Sequence, residues 1–316
     1  MVIYLIAAAI FFIFGIIFIM EVFNLLAMLG IKEPPYAFLK IKIVKIGLHA
    51  IATVIFLCMI WAIFIEPYQL SVTRLDIHTD KLAAGRVFRI AFLTDMHCSG
   101  KTSREEEIPA IIRDFNPDIM LFGGDYLNSA KGFPVLKEMV AGLPQPVNGI
   151  YGVYGNWDKY INVFRTEDAG IKELAGSLKV RLGESDIVSV SGMDYHPHNK
   201  SFEKIKTAAR DNEYNILVTH KPDLIYDIEG LKTDLYLCGH THGGQVRVPF
   251  YGAIVTLSKY GKEFEMGEYD VDGTKLYVSR GVGVEGGWLL PPLRFLCKPE
   301  VVLITISGRR TTDSGR

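Results

Sequence analysis

The sequence has no excess of charge of either sign: 34 basic residues stand against 35 acidic ones in 316, a formal net charge of −1. Nucleic-acid backbones are held by clustered lysine and arginine, and without that footprint no nucleic-acid partner is expected. Cysteine is scarce. Cys58, Cys98, Cys238 and Cys297 are scattered and form no C-x-x-C pair, and the three beyond Cys58 read as free thiols suited to a reducing compartment. Internal repeats and low-complexity tracts are also missing, which excludes a solenoid or repeat array.

Apolar sequence, by contrast, is abundant, 49% overall and concentrated before Glu66. No charged side chain occurs from Val2 to Met20 or from Ile46 to Ile65. A bilayer core is crossed by roughly 20 apolar helical residues, so two spans are expected. Val2–Met20 lacks the basic start and short core of a signal peptide. Ile46–Ile65 is apolar all round, unlike a core helix with one buried face. Lys32, Lys40, Lys42 and Lys45 between the runs favour a cytoplasmic loop and an external catalytic part. Arg74, Lys81, Arg86 and Arg89 after the second run thin that signal, and the free cysteines pull the other way, towards a cytoplasmic catalytic domain by a narrow margin. The expected organisation is a membrane anchor over residues 1–70, a catalytic domain over 86–306 and a polar tail over 307–316.

Beyond the anchor the pattern is α/β. Val87–Thr94, Ile119–Gly123, Gly149–Tyr154, Ile187–Gly192, Tyr214–Thr219 and Asp234–Cys238 read as short buried strands. Helical periodicity marks Arg104–Phe115, with Ser103 and Glu106 as a capping box, then Phe133–Leu143 and a stretch near Ser201–Arg210. This alternation implies parallel pairing with both faces covered. Gln245–Val248, Glu263–Tyr269, Lys275–Val278 and Val301–Ile306 look hairpin-like, with a turn at Asp272–Gly273.

Polar clusters follow these strands, where open α/β sheets place their ligands. They are Asp95-Met96-His97, Gly123-Gly124-Asp125, Gly155-Asn156-Trp157-Asp158, His220 and Gly239-His240-Thr241-His242. If extended, Asp95 with His97, and His240 with His242, would each aim two donors at one spot. The preceding glycines permit sharp turns and close backbone approach. Imidazole, carboxylate and amide donors without thiolate suit manganese, iron or zinc. Met96 and Tyr126 read as packing residues, Cys98 and Cys238 as pointing away from the site, and His196 and His198 as a surface loop.

In order and spacing these clusters resemble the calcineurin-like metallophosphoesterases, whose motifs run D-x-H, G-D, G-N-H-[DE], a lone His and G-H-x-H. The resemblance covers about residues 86–306. It implies a central β-sandwich flanked by helices, here preceded by two transmembrane helices, and two divalent metal ions, manganese foremost. Asp95, His97, Asp125 and His242 would hold one ion; Asp125, Asn156, His220 and His240 the other, with Asp125 bridging. The nucleophile would be a metal-bridging hydroxide, since coordination lowers the pKa of water from about 15.7 towards 7.

One position departs from the family motif. Trp157 stands where the family commonly has a histidine that protonates the leaving oxygen or steadies the phosphate, and an indole cannot transfer a proton near neutral pH; the plainer alternative is that Trp157 packs and another residue serves as acid. A lost general acid forfeits about 10² to 10⁴ in rate unless the leaving group departs unaided. A phosphate departing from a pyrophosphate does so. Asp158 is expected beside it, as a substrate contact or behind the ligands, and Asn128 replaces a frequent family Asp. The stretches Gly239–Gln245 and Tyr277–Gly281 resemble the membrane-associated branch, some of which hydrolyses UDP-2,3-diacylglucosamine in lipid A synthesis. A lipid-linked substrate is therefore expected, with Gly286–Leu296 either lining an acyl-chain entry or capping the core. The alternatives are a general extracytoplasmic phosphodiesterase or phosphatase, and a non-catalytic scaffold, which the filled ligand set disfavours.

Overall fold

The computed structural model describes residues 2–31, 39, 41–100, 103–161, 164–195, 199–285 and 292–309, with the backbone alone for 2–11 and 199–200. Helices are α1 (Val2–Met28), α2 (Lys42–Phe64), α3 (Ser103–Phe115), α4 (Phe133–Ala141), α5 (Asn156–Ile161) and α6 (Asn199–Ala208). Strands are β1 (Ser71–Ala84), β2 (Val87–Leu93), β3 (Ile119–Phe122), β4 (Ile150–Gly152), β5 (Lys172–Glu173), β6 (Gly176–Leu182), β7 (Asp186–Gly192), β8 (Tyr214–Val218), β9 (Leu235–Cys238), β10 (Arg247–Val248), β11 (Gly252–Ala253), β12 (Gly267–Val271), β13 (Thr274–Val278) and β14 (Glu300–Gly308).

Two six-stranded mixed sheets, β1-β14-β2-β3-β4-β5 and β12-β13-β9-β8-β7-β6, carry the fold. The apolar runs that read as strands are buried because both sheets turn a face inward. Phe88, Ile90, Phe92, Ile304 and Ile306 of the first sheet share one core with Val188, Val190, Ile216, Val218 and Leu237 of the second. Each such side chain contributes about 1.5–3 kcal/mol on burial, so this shared face is the main adhesive between the sheets. Helices α3 and α4 cover the outer face of the first sheet through Ile108, Ile112, Leu136 and Val140. The arrangement is an α/β sandwich flanked by helices.

The hairpin region differs from its sequence reading. The strand expected over Glu263–Tyr269 starts only at Gly267, and Gln245–Val248 contributes only Arg247–Val248, paired with Gly252–Ala253. The left-handed φ of 60° at Gly261 and 97° at Gly267 marks the turns that displace the first of these. Asp272 and Gly273, with φ of 50° and 81°, close the β12–β13 turn as left-handed residues do in tight hairpins.

Among the described residues one helix, Lys42–Tyr68, is long and apolar enough to cross a membrane, while Phe12–Met28 is apolar but shorter. Of the two expected spans, the described residues thus give one of sufficient length, since the apolar stretch Phe12–Met28 is shorter than a bilayer core requires. The two helices touch through Glu21, which pairs with His49 at 2.5 Å and accepts from Asn24 at 3.2 Å. The C-terminal end of α2 is fastened to the globular part. Arg294 N donates to Ala62 O at 2.9 Å, and the buried Glu66 accepts from Trp61 Nε1 at 2.8 Å and from the backbone N–H of Cys297.

Candidate metal centre

The loops leaving β2, β3 and β4 in one sheet, and β8 and β9 in the other, converge at one end of the sandwich. They carry Asp95 and His97, Asp125, Asn156, His220, and His240 with His242. The backbone there is bent rather than extended: φ is 51° at Asp95, 42° at His97, 54° at Asp125, 71° at His240 and 50° at His242. Left-handed conformations are uncommon outside glycine and cluster at functional sites, where packing holds them against their cost. Here the loops hold one another. Asp95 N donates to Gly124 O at 2.9 Å, His97 N to Asp125 O at 3.0 Å and Gly239 N to His220 O at 2.9 Å. Glycine is required where the strands' ends meet the carboxylates. A Cβ on Gly239 would lie 2.0 Å from Asp95 Oδ2, and one on Gly155 would lie 2.1 Å from Asp125 Oδ1.

Two buried groups of donors result: Asp95, His97 and His242, and Asp125, His220 and His240, the atoms of each lying within 4.8 Å of one another. Asn156 Oδ1 sits 3.1 Å from His220 Nε2. The two groups adjoin, since His97 Nε2 is 3.7 Å and His220 Nε2 3.1 Å from Asp125 Oδ2. The bend at His242 sends His240 and His242 to different groups, against the reading that extended residues two apart would share a spot. Asp95 and His97 do share one.

The donor set fits cations. His97 Nε2 faces His242 Nε2 at 3.1 Å, and His220 Nε2 faces His240 Nδ1 at 3.1 Å. Imidazole nitrogens about 3 Å apart suit a shared ion with bonds of about 2.0–2.1 Å. Electrostatics point the same way. Burial pulls His97 down to about 4, against the attraction of Asp125. Burial together with the His220 charge takes His240 down to about 3, and burial lowers His242 as well. These rings are neutral at pH 7, with lone pairs available. Burial raises Asp95 to about 7, with Asp125 adding to it, so its charge calls for a cation. Burial opposes ionisation of His220, but the charge and hydrogen bond of Asp125 outweigh it and raise the ring to about 10. A proton there stands in for positive charge.

Asp158 lies behind Asp125 and is buried: its carboxylate accepts from Asp125 N at 2.8 Å, Tyr126 N at 2.9 Å and Gly155 N at 2.8 Å. It fixes the Asp125 turn. Trp157 donates its backbone N–H to Asp125 Oδ1 at 2.8 Å, while its ring stands edge-on to His97 at 5.7 Å. The indole N–H is committed to Glu285 Oε1 at 3.1 Å. Asn128 donates to Val284 O at 3.1 Å. Met96 and Tyr126 are fully buried packing residues. Cys238 turns its thiol to Tyr277 O, and neither it nor Cys98 joins a donor group. His196 and His198 lie outside the described residues, as does the 286–291 part of Gly286–Leu296.

The rest of that stretch holds a residue the sequence reading missed. Arg294 is fully buried, donating to Arg280 O at 2.7 Å, Gly283 O at 2.5 Å and Cys297 O at 3.1 Å, with Nη2 3.4 Å from His242 Nδ1. Its one legible signal is a lone cation inside the apolar Trp288–Leu296 run. Cys297 adds a thiol contact to His242 O at 3.1 Å. Phe295 and Leu296 line a cavity with Val54, Leu57 and Trp61 of α2. Glu285, Tyr195 and Lys221 were also missed, since single residues in loops carry no periodic signal.

The family model for calcineurin-like phosphoesterases matches residues 88–244. An uncharacterized metallophosphoesterase of Aquifex aeolicus is 31% identical over 265 residues, covering 78% of this chain and 95% of the relative. The chain belongs to this family. An uncharacterized metallophosphoesterase of Bacillus subtilis is 29% identical over 273 residues, 78% of this chain and 89% of the relative. The UDP-2,3-diacylglucosamine pyrophosphatase LpxG of Chlamydia trachomatis is 24% identical over 327 residues, 83% of this chain and 98% of the relative. As a member of this family, the protein is a metal-dependent hydrolase of phosphoric ester or pyrophosphate bonds.

Proposed function

We propose that the protein is a membrane-anchored pyrophosphatase acting on a lipid-linked nucleotide such as UDP-2,3-diacylglucosamine, with two manganese ions held by Asp95, His97, Asp125, Asn156, His220, His240 and His242. The observation that carries the pyrophosphate reading is the commitment of the Trp157 indole to Glu285 where a proton donor would stand. Such a site favours a leaving group that departs without protonation. The lipid part is supported by the apolar α2 and by the likeness to LpxG. The apolar α1, tied to α2 through Glu21 and His49, is our proposed second span, and the free thiols of Cys98, Cys238 and Cys297 support a catalytic domain in the reducing cytoplasm.

Divalent ions bound here supply Lewis acidity and lower the pKa of water into the neutral range. The chain supplies the rest. The neutral His97, His240 and His242 and the two aspartates hold the charge, Asp158 fixes the Asp125 turn, and Trp157 with its backbone N–H closes one wall. The test is turnover by the detergent-purified protein of UDP-diacylglucosamine, other lipid pyrophosphates and simple phosphodiesters. Preference for simple diesters would overturn the substrate. Asp125→Ala should lower activity by several orders of magnitude with the fold kept, and near-normal turnover would sink the dinuclear centre.

A second reading rests on Glu285. Its carboxyl lies 3.1 Å from Trp157 Nε1, and burial raises it above the ordinary range, which suits a proton donor beside Trp157. In that case alkyl diesters become substrates, and Glu285→Gln should cost them about 10²-fold while sparing pyrophosphates.

A further inference from the structure

The two walls of the centre differ in their polar groups. On the His97 side stand Trp157 and, bonded to its indole, the Glu285 carboxyl group. On the other side the Tyr195 ring lies 5.8 Å from the His220 ring and 5.5 Å from that of His240. Over Tyr195 sits the Lys221 ammonium, 4.5 Å from the ring centre. Among the described residues no carboxylate forms an ion pair with this lysine. A half-buried cation held only by an aromatic face keeps its hydrogen-bonding protons free for an anion, and the ring contributes about 0.5–2 kcal/mol to holding it there.

Its backbone is fixed in advance. The Lys221 carbonyl accepts from Thr219 Oγ1 at 2.9 Å and from Tyr236 OH at 2.5 Å. Pro222 restricts the residue before it to extended conformations, and Lys221 has φ −117° and ψ 151°. The side chain reaches the Tyr195 ring, which itself lies beside the rings of His220 and His240.

We propose that Lys221, laid on Tyr195, receives the departing phosphate of a pyrophosphate substrate. This inference rests on the pyrophosphate reading above. In the step concerned, the oxygen of water forms the new P–O bond and its proton is released to solvent. The bridging P–O bond breaks, and its electron pair stays on the departing phosphate. Negative charge therefore grows on that phosphate, and a preorganised donor there acts more strongly on the transition state than on the bound substrate.

The test uses the full-length, manganese-loaded protein in detergent and compares a UDP-linked lipid with an aryl phosphodiester whose phenolate leaving group carries no phosphate. Lys221→Met should lower kcat/KM for the pyrophosphate about 10²-fold and for the aryl diester less than about 3-fold, with Lys221→Arg recovering most of the loss. Tyr195→Ala should move part of the way to Lys221→Met. Equal losses on both substrates would mean that Lys221 serves the transferred group or the fold, and would overturn the proposal. So would no loss on either. If the wild type does not turn over the pyrophosphate at all, the substrate reading itself fails, and this inference with it.

Discussion

At Trp157 the indole proton points to Glu285, so the aromatic ring serves as a wall against His97 rather than as an acid. Replacing it tests that role directly. Trp157→His restores a group able to carry a proton, and kcat/KM for an alkyl diester relative to a pyrophosphate should rise about 10-fold or more. An unchanged ratio in a metal-loaded variant would return Trp157 to packing alone. Asp158 shows the other kind of residue. Three backbone N–H groups occupy its carboxylate, so Asp158→Asn should act through Asp125, weakening metal retention more than substrate binding. The polar clusters were legible because their residue types are rare together and each follows a strand. Which spot each donor serves was not, since left-handed turns at Asp95, His97 and His242 override the alternation that an extended chain would give. Arg294, Tyr195 and Lys221 had no partner residue in sequence to mark them.

Strand by strand, the interior of both sheets was readable from short apolar runs, whereas two edges were not. Both β1 and β6 lie at sheet edges. Their inward residues, Leu75 and Ile77 in one and Leu178, Val180 and Leu182 in the other, alternate with charged or polar ones, so neither forms an apolar run. Strand β1 pairs in parallel with β14 from Ser71–Glu300 onwards, within the stretch between the expected anchor and catalytic domain. At the start of β14, buried Glu300 accepts from Arg280 Nε at 3.1 Å and N at 3.0 Å and from Tyr277 OH. Burial would raise its carboxyl, but Arg280 outweighs that and holds it below the ordinary value of 4.5. The folded protein therefore binds this proton less readily than the unfolded chain. The stabilisation is complete above the unfolded value and is lost as pH falls through the lower folded one. Glu300→Gln should cost about 3–5 kcal/mol near neutral pH, as breaking a buried pair does, and flatten the acid limb of the Tm–pH curve. An unaltered acid limb would place the sensitivity elsewhere.

Taken whole, the molecule joins an apolar helix to a metal centre by a short path: Ala62 and Glu66 to Arg294 and Cys297, and these to His242. The chain should resist extraction by carbonate or high salt, and a periplasmic phosphatase reporter fused after Arg316 should be inactive if the catalytic domain is cytoplasmic. A chain beginning at Leu70 should dissolve without detergent yet retain metal about 10-fold less tightly, measured by metal content after dialysis. The bent ligand turns carry the farthest consequence. A fold that confines five such residues to conformations costing about 1–3 kcal/mol each is less stable than its packing would allow until something binds across them. Cations that bind only the folded chain return about 2.7 kcal/mol per site at 100 times their dissociation constant. Chelation should lower Tm by several degrees, and manganese should restore it. In a living cell the steady amount of this protein would then follow the supply of free metal, with scarcity removing the enzyme itself as well as its activity.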